Sequence, residues 1–169
     1  MYFSYFPTLL YTLDNGVTGQ VVTDILRRVD LTKETKESSS AFYRYDIKEG
    51  ESPEILAHKI YGDTNLHWII LHTNEIIDPA SEWPKDNQQF LDYLKDKYGE
   101  GNIYAEHHKQ VVIDGEVIIT DDPILDFVPQ VVTNYDYEYE LNEEKRQIKI
   151  LKPRYAADVV TQLRNLITK

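Results

Sequence analysis

The stretch from Tyr43 to Pro79 leaves this chain few folds to choose from. Tyr43, Tyr45 and Ile47 alternate with Arg44, Asp46 and Lys48, the period of a strand with one face buried. Gly50 interrupts the alternation and can take the positive φ of a tight exit. Ser52 then stands before Pro53, a cap followed by a residue with no N–H to orphan at the first helical position. The spacing predicts a helix from Pro53 to about Tyr61, with Leu56, Ala57, Ile60 and Tyr61 on one face and Gly62 as its stop. Asp63 caps a second helix that carries Leu66, Ile69, Ile70 and Thr73 on one side and Trp68 and Leu71 on the other. Asn74 reads as its left-handed stop, and Asp78-Pro79 forbids continuation. Leu56, Ile60, Leu66, Ile69 and Ile70 are the expected interior. A helix apolar over most of its girth expects two covers, one from its own small domain and one from further protein.

The other segments arrange themselves around that core. Residues 1–40 read as an amino-terminal arm and linker. Met1 to Leu13 is rich in aromatic and aliphatic residues, Thr23 can cap a short helix through Val29, and Thr32 to Ser40 is small, polar and aperiodic. Residues 80–134 read as a helix and an added β-hairpin. Asp86 caps the helix, which runs to Tyr98, and Val111–Ile113 and Val117–Ile119 flank Asp114-Gly115, the favoured two-residue turn. Ile124 to Val132 is an extended segment. Residues 135–169 read as a second hairpin and a helix. Tyr135, Tyr137, Tyr139 and Leu141 alternate with acidic residues, Ile148 and Ile150 lie in a strand from Arg146 to Leu151, and a helix spans about Arg154 to Ile167.

Charge and residue usage narrow the function. The formal net charge is −11, a field that repels phosphates, so neither nucleic acid nor an anionic membrane is an expected partner. There are no cysteines, so thiolate metal sites and disulfides are excluded. No run of about 18 apolar residues is present. The opening lacks the basic region of a signal peptide, which predicts a soluble protein made in a cytoplasm. His67 and His72 do not share a helical face, and His107-His108 would need further ligands to hold a metal. Glu138, Glu140, Glu143 and Glu144 read as a solvated acidic face. No nucleophile–base motif or phosphate-binding loop stands out, so no catalytic, metal or cofactor residue is assigned and no enzyme is expected. The 13 tyrosines suit surfaces that become buried in partners.

Strand, glycine turn, short helix, Gly-Asp turn, short helix and Asn stop together resemble a LysM domain. In that order of elements a second strand follows, for which only Glu75-Ile76-Ile77 is at hand before Asp78-Pro79. The resemblance widens with the opening Y-F-S-Y-F-P, with Thr23-Asp24-Ile25, with Tyr45 to Pro79 and with Asn142 to Leu151. Taken together these look like the LysM-like baseplate wedge subunit family of T-even-type contractile-tailed bacteriophages, matched in the same order over most of the chain.

That resemblance implies an α+β fold with a small LysM-like strand–helix–helix core at 41–79, an extended amino-terminal arm, an added β-hairpin and a carboxy-terminal strand–helix block. It implies a structural role in the virion, clamping adjacent wedges together around the tail hub. The expected partners are other wedge proteins and neighbouring wedges in a sixfold ring. Tyr2, Phe3, Phe6, Trp68, Trp83, Arg146, Ile148 and Ile150 are the expected partner contacts. The alternative is a LysM-type module binding peptidoglycan or chitin, with Gly50, Ser52 and Asn74 lining the groove. A murein hydrolase would need a catalytic constellation that the sequence does not display.

Overall fold

The computed structural model describes residues 5–12, 19–25, 39–122, 124 and 127–167. Tyr2, Phe3, the expected helix beyond Ile25 and most of the polar linker lie outside the described residues. In chain order the elements begin with strands β1 (Thr8–Thr12), β2 (Gly19–Thr23) and β3 (Phe42–Asp46). Helices α1 (Pro53–Tyr61), α2 (His67–Thr73), α3 (Pro79–Glu82) and α4 (Asn87–Tyr98) follow. Then come β4 (Glu106–Ile113), β5 (Glu116–Ile119), β6 (Gln130–Thr133), α5 (Asn134–Glu144), β7 (Gln147–Leu151) and α6 (Ala156–Ile167). This is a mixed α+β architecture in two compact units. The first draws on residues 1–47, 51–82 and 148–169, and the second on 48–50 and 83–147.

In the first unit the local signals act as their chemistry dictates. Ser52 Oγ accepts from the Ile55 N–H at the start of α1, and Gly62 ends the helix at φ 77°. Asp63 caps a short 3-10 turn, Thr64–Leu66, that leads into α2. A polar staple ties the exit of β3 to α1: the Tyr45 hydroxyl donates to Glu51, and the Lys59 ammonium donates to both. The expected left-handed stop falls one residue later than Asn74. Glu75 carries the positive φ of 59°, while Asn74 stays at φ −104°. The Ile76 N–H reaches the Leu71 carbonyl and the Glu75 N–H reaches His72, a Schellman closure with Glu75 in the place glycine usually takes.

Glu75-Ile76-Ile77 supplies no strand. The strand beside β3 is β7, roughly a hundred residues further along the chain. Asn74 explains how β7 is seated. Its side-chain amide donates to the Ile70 and Lys149 carbonyls at 2.8 Å and accepts from the Lys149 N–H at 2.7 Å, so it pairs with the strand as a peptide group would. The Tyr61 hydroxyl donates to the Leu151 carbonyl at 3.0 Å, and the Lys152 N–H to Ala41 at 2.9 Å. Burial, then the neighbouring Tyr43, push the Tyr61 phenol well above its ordinary pKa, so it remains a donor at any working pH.

Above this sheet lies one core. Trp68 and Ile69 of α2 pack with Leu151 and with Ala156, Val159, Leu163 and Ile167 of α6, joined by Phe6 and Ala41. Leu56, Ala57, Ile69 and Ile70 are fully buried, and Leu66 and Ile60 are half-buried. The amino-terminal segment read as an arm contains a hairpin, β1 antiparallel to β2, with Thr8 opposite Thr23 and Thr12 opposite Gly19. Thr23 therefore ends a strand.

The second unit begins with α4, whose Asp86 and Gln89 form the reciprocal cap at its start. Strands β5–β4–β6 make an antiparallel sheet. Asp114 and Gly115, both at positive φ, close the hairpin as the favoured turn requires. Ile124 and Phe127 form an isolated bridge, and β6 starts just after Pro129.

The expected strand from Tyr135 to Leu141 is in fact the helix α5, so there is no second hairpin. Thr133 Oγ1 accepts from the Asp136 N–H, and the Asp136 carboxylate accepts from Thr133, a capping box that starts a helix. The buried positions of α5 are Asn134, Glu138 and Asn142, one polar stripe at a spacing of four. Each is satisfied within its unit. Asn134 donates to the Asn102 carbonyl, and Asn142 pairs with both backbone groups of Lys85. The tyrosine alternation looked like a strand because the face that α5 buries is not apolar.

Asn74→Ala removes a bidentate backbone mimic and leaves Lys149 with two groups to satisfy. Urea denaturation is expected to show a loss of about 1–3 kcal/mol. Leu56→Ala, which empties a fully buried site, is expected to lose about 2–5 kcal/mol in the same assay.

Candidate functional site

Among the described residues no cluster of three or more His, Asp and Glu could hold a metal ion. Of the four acids read as a solvated face, Glu138 is buried instead. It accepts from Lys97 Nζ at 2.6 Å, from the Tyr98 hydroxyl at 2.8 Å and from the Tyr93 hydroxyl at 3.1 Å. Burial alone would raise its pKa, but the bonds from Lys97, Tyr98 and Tyr93 outweigh that and hold the carboxyl below its ordinary value. Glu49 and Glu143 are likewise engaged, both accepting from Arg146 at 2.9 and 2.6 Å. These carboxylates join helices and loops of the fold.

A β-bulge between Glu106 and His108 turns two consecutive histidines toward each other. Their Nδ1 atoms lie 2.8 Å apart, and Gln110 Oε1 is 3.1 Å from His108 Nε2. With that oxygen taking the His108 Nε2–H, His107 donates through Nδ1 and His108 accepts. His107 also stacks on Tyr137, ring centroids 4.1 Å apart. The pair braces the start of β4 against α5.

The expected partner contacts are distributed unevenly. Phe6, Trp68, Ile148 and Ile150 are buried in the first unit and Trp83 in the second, and Arg146 is held by its two carboxylates. Of the groove residues in the glycan reading, Ser52 is a helix cap and Asn74 is bound to β7. Gly50 is an exposed turn residue at φ 74°.

Both hairpins leave apolar side chains open among the described residues. On the β4–β5 ribbon Val112, Val117 and Ile119 are 49%, 58% and 70% exposed on one face, and Ile118 is 38% exposed on the other. Leu10, Tyr11 and Val21 are exposed on the β1–β2 hairpin. These residues are not among the contacts expected from the sequence, although a signal for their exposure is present: Val111–Ile113 and Val117–Ile119 are unbroken apolar runs. A strand apolar on both faces expects cover on both. Acids bracket the ribbon, Asp114 and Glu116 at its tip and Asp121 and Asp122 at its base.

Apolar ribbons open to solvent on an acidic chain define an assembly subunit, a protein whose surface is completed by its neighbours. Comparison with known proteins makes this particular. Residues 1–117 match the family described as "Base plate wedge protein 53". The chain is also 27% identical, over 89% of its length and 88% of the relative's, to "Baseplate wedge protein gp53" of Enterobacteria phage T4. The chain belongs to the base plate wedge protein 53 family, and it is a structural component of the virion's tail baseplate that assembles with other baseplate proteins.

Because Glu138 titrates below its ordinary value when folded, its contribution is full above the unfolded carboxylate range near 4.5 and is lost as the pH falls through the folded value. Urea midpoints measured by near-ultraviolet circular dichroism should fall steeply over that acid window. Glu138→Gln should be less stable at neutral pH and show a shallower fall.

Proposed function

We propose that this protein is a clamp: it joins adjacent wedges around the tail hub, about one copy per wedge in a sixfold ring, and performs no turnover. The observation that carries this reading is the aliphatic surface left open on both hairpins of a baseplate wedge family member. Two separate open surfaces in one small chain suit a joint that must hold more than one neighbour. In this reading Tyr2 and Phe3 are contacts to a neighbouring protein. Phe6, Trp68, Trp83, Ile148 and Ile150 are buried and serve the assembly through the stability of the fold, and Arg146 is held by Glu49 and Glu143. The net charge of −11 argues for protein neighbours and against nucleic acid. No helix among the described residues is long and apolar enough to cross a membrane.

The test is co-expression with the other wedge proteins of the same genome, followed by native mass spectrometry, beside a pull-down on insoluble peptidoglycan. A stable complex is expected, lost on deleting Met1–Leu13, with no retention on the glycan. Tight peptidoglycan binding without a wedge complex would overturn the clamp.

A further inference from the structure

The β4–β5 ribbon has one unpaired edge, and its register says which peptide groups lie along it. The two-residue turn makes Ile113 and Glu116 a hydrogen-bonded pair, and the Thr120 N–H donates to the Lys109 carbonyl at 3.0 Å. Alternation between those two points turns the N–H and C=O of Ile118 inward to β4. The N–H and C=O of Val117 and Ile119 turn outward, where no described residue meets them. These same two residues carry the most exposed apolar side chains of the strand. The family match ends at residue 117, inside β5, so this edge is only partly within it.

We propose that β5 is a strand-addition site: an extended segment of another baseplate protein, with alternating aliphatic residues flanked by Lys or Arg, pairs with the outward peptide groups of Val117 and Ile119. This rests on the clamp reading and adds the mode of docking. The charge pattern selects the occupant. Glu116 and Asp114 stand at one end of the strand and Asp122 at the other, beside Asp121, which lies 3.4 Å from Lys109 Nζ, so a basic-flanked strand finds a net opposite charge at each end. A second copy paired antiparallel through β5 would set Glu116 against the Asp121–Asp122 end, like against like, and is disfavoured.

The full-length chain can be titrated with the synthetic peptide acetyl-Lys-Lys-Val-Thr-Val-Thr-Val-Lys-Lys-amide and with its Glu-flanked counterpart, followed by amide hydrogen exchange. The Val117 and Ile119 amides should gain protection with the basic peptide only. Ile119→Pro deletes an outward N–H and no rung of the hairpin, a change an edge strand tolerates, and should weaken binding at least about tenfold. Glu116→Lys combined with Asp122→Lys keeps the backbone intact and should reverse the preference between the two peptides. Equal binding of both peptides, protection elsewhere, unchanged binding by Ile119→Pro, or a dimer through β5 would each overturn the proposal. In the co-expressed wedge complex, wild type should be retained and Ile119→Pro excluded. Failure of wild type to join removes the clamp reading, and the peptide titration still decides the edge.

Discussion

The first unit depends on β7 reaching β3. The strand–helix–helix stretch from Phe42 to Thr73 has one strand of its own, and a single strand cannot satisfy its backbone along either edge. β7 supplies the partner, and with it come Leu151 and α6, which cover Trp68 and Ile69. The Asn74 amide is the means by which α2 holds the incoming strand, because an Asn side chain offers a donor and an acceptor spaced like those of a peptide. The cover expected from further protein is thus largely in the same chain. Leu163 and Ile167, which exceed what a small core could shelter alone, are buried by it.

Short-range signals were legible because their physics is local. Ser52 before Pro53, Gly62, the Asp86 cap and Asp114-Gly115 each satisfy or free a backbone group within a few residues, and each stands where the sequence put it. The pairing of β3 with β7 was not legible, since nothing in Phe42–Asp46 names a partner so far along the chain. α5 was misread for a different reason. Its tyrosines alternate at a period of two by coincidence, and its true buried stripe, Asn134, Glu138 and Asn142, is polar and so invisible to a reading based on hydrophobic periodicity. Glu75 escaped notice because left-handed backbone at a helix end usually selects Gly or Asn, and Asn74 was already occupied by β7.

Large aromatic residues suit an interface and a core alike. Trp68 and Trp83 have the area of interface anchors, but area is equally what a small core needs. The exposed apolar surface of the ribbon lies instead on modest residues, Val112, Val117 and Ile119, whose burial in the free chain would require a neighbouring sheet. A wedge protein of this size keeps its bulky side chains for its own stability. In the proposed docking mode it would offer neighbours a strand edge, which gives directional hydrogen bonds together with apolar area.

The polar stripe of α5 has a mechanical consequence. An apolar helix face can slide by one turn, about 5.4 Å, and exchange one set of aliphatic contacts for another at small cost. α5 has no such freedom. A shift of one turn would carry Glu138 away from Lys97, Tyr93 and Tyr98 and would separate Asn142 from both backbone groups of Lys85. The buried carboxylate and amide would then stand without partners, each at a cost of about 1–3 kcal/mol. The helix therefore has one seat and no neighbouring one, so load borne along its axis is passed on without slippage up to the point where the unit yields as a whole.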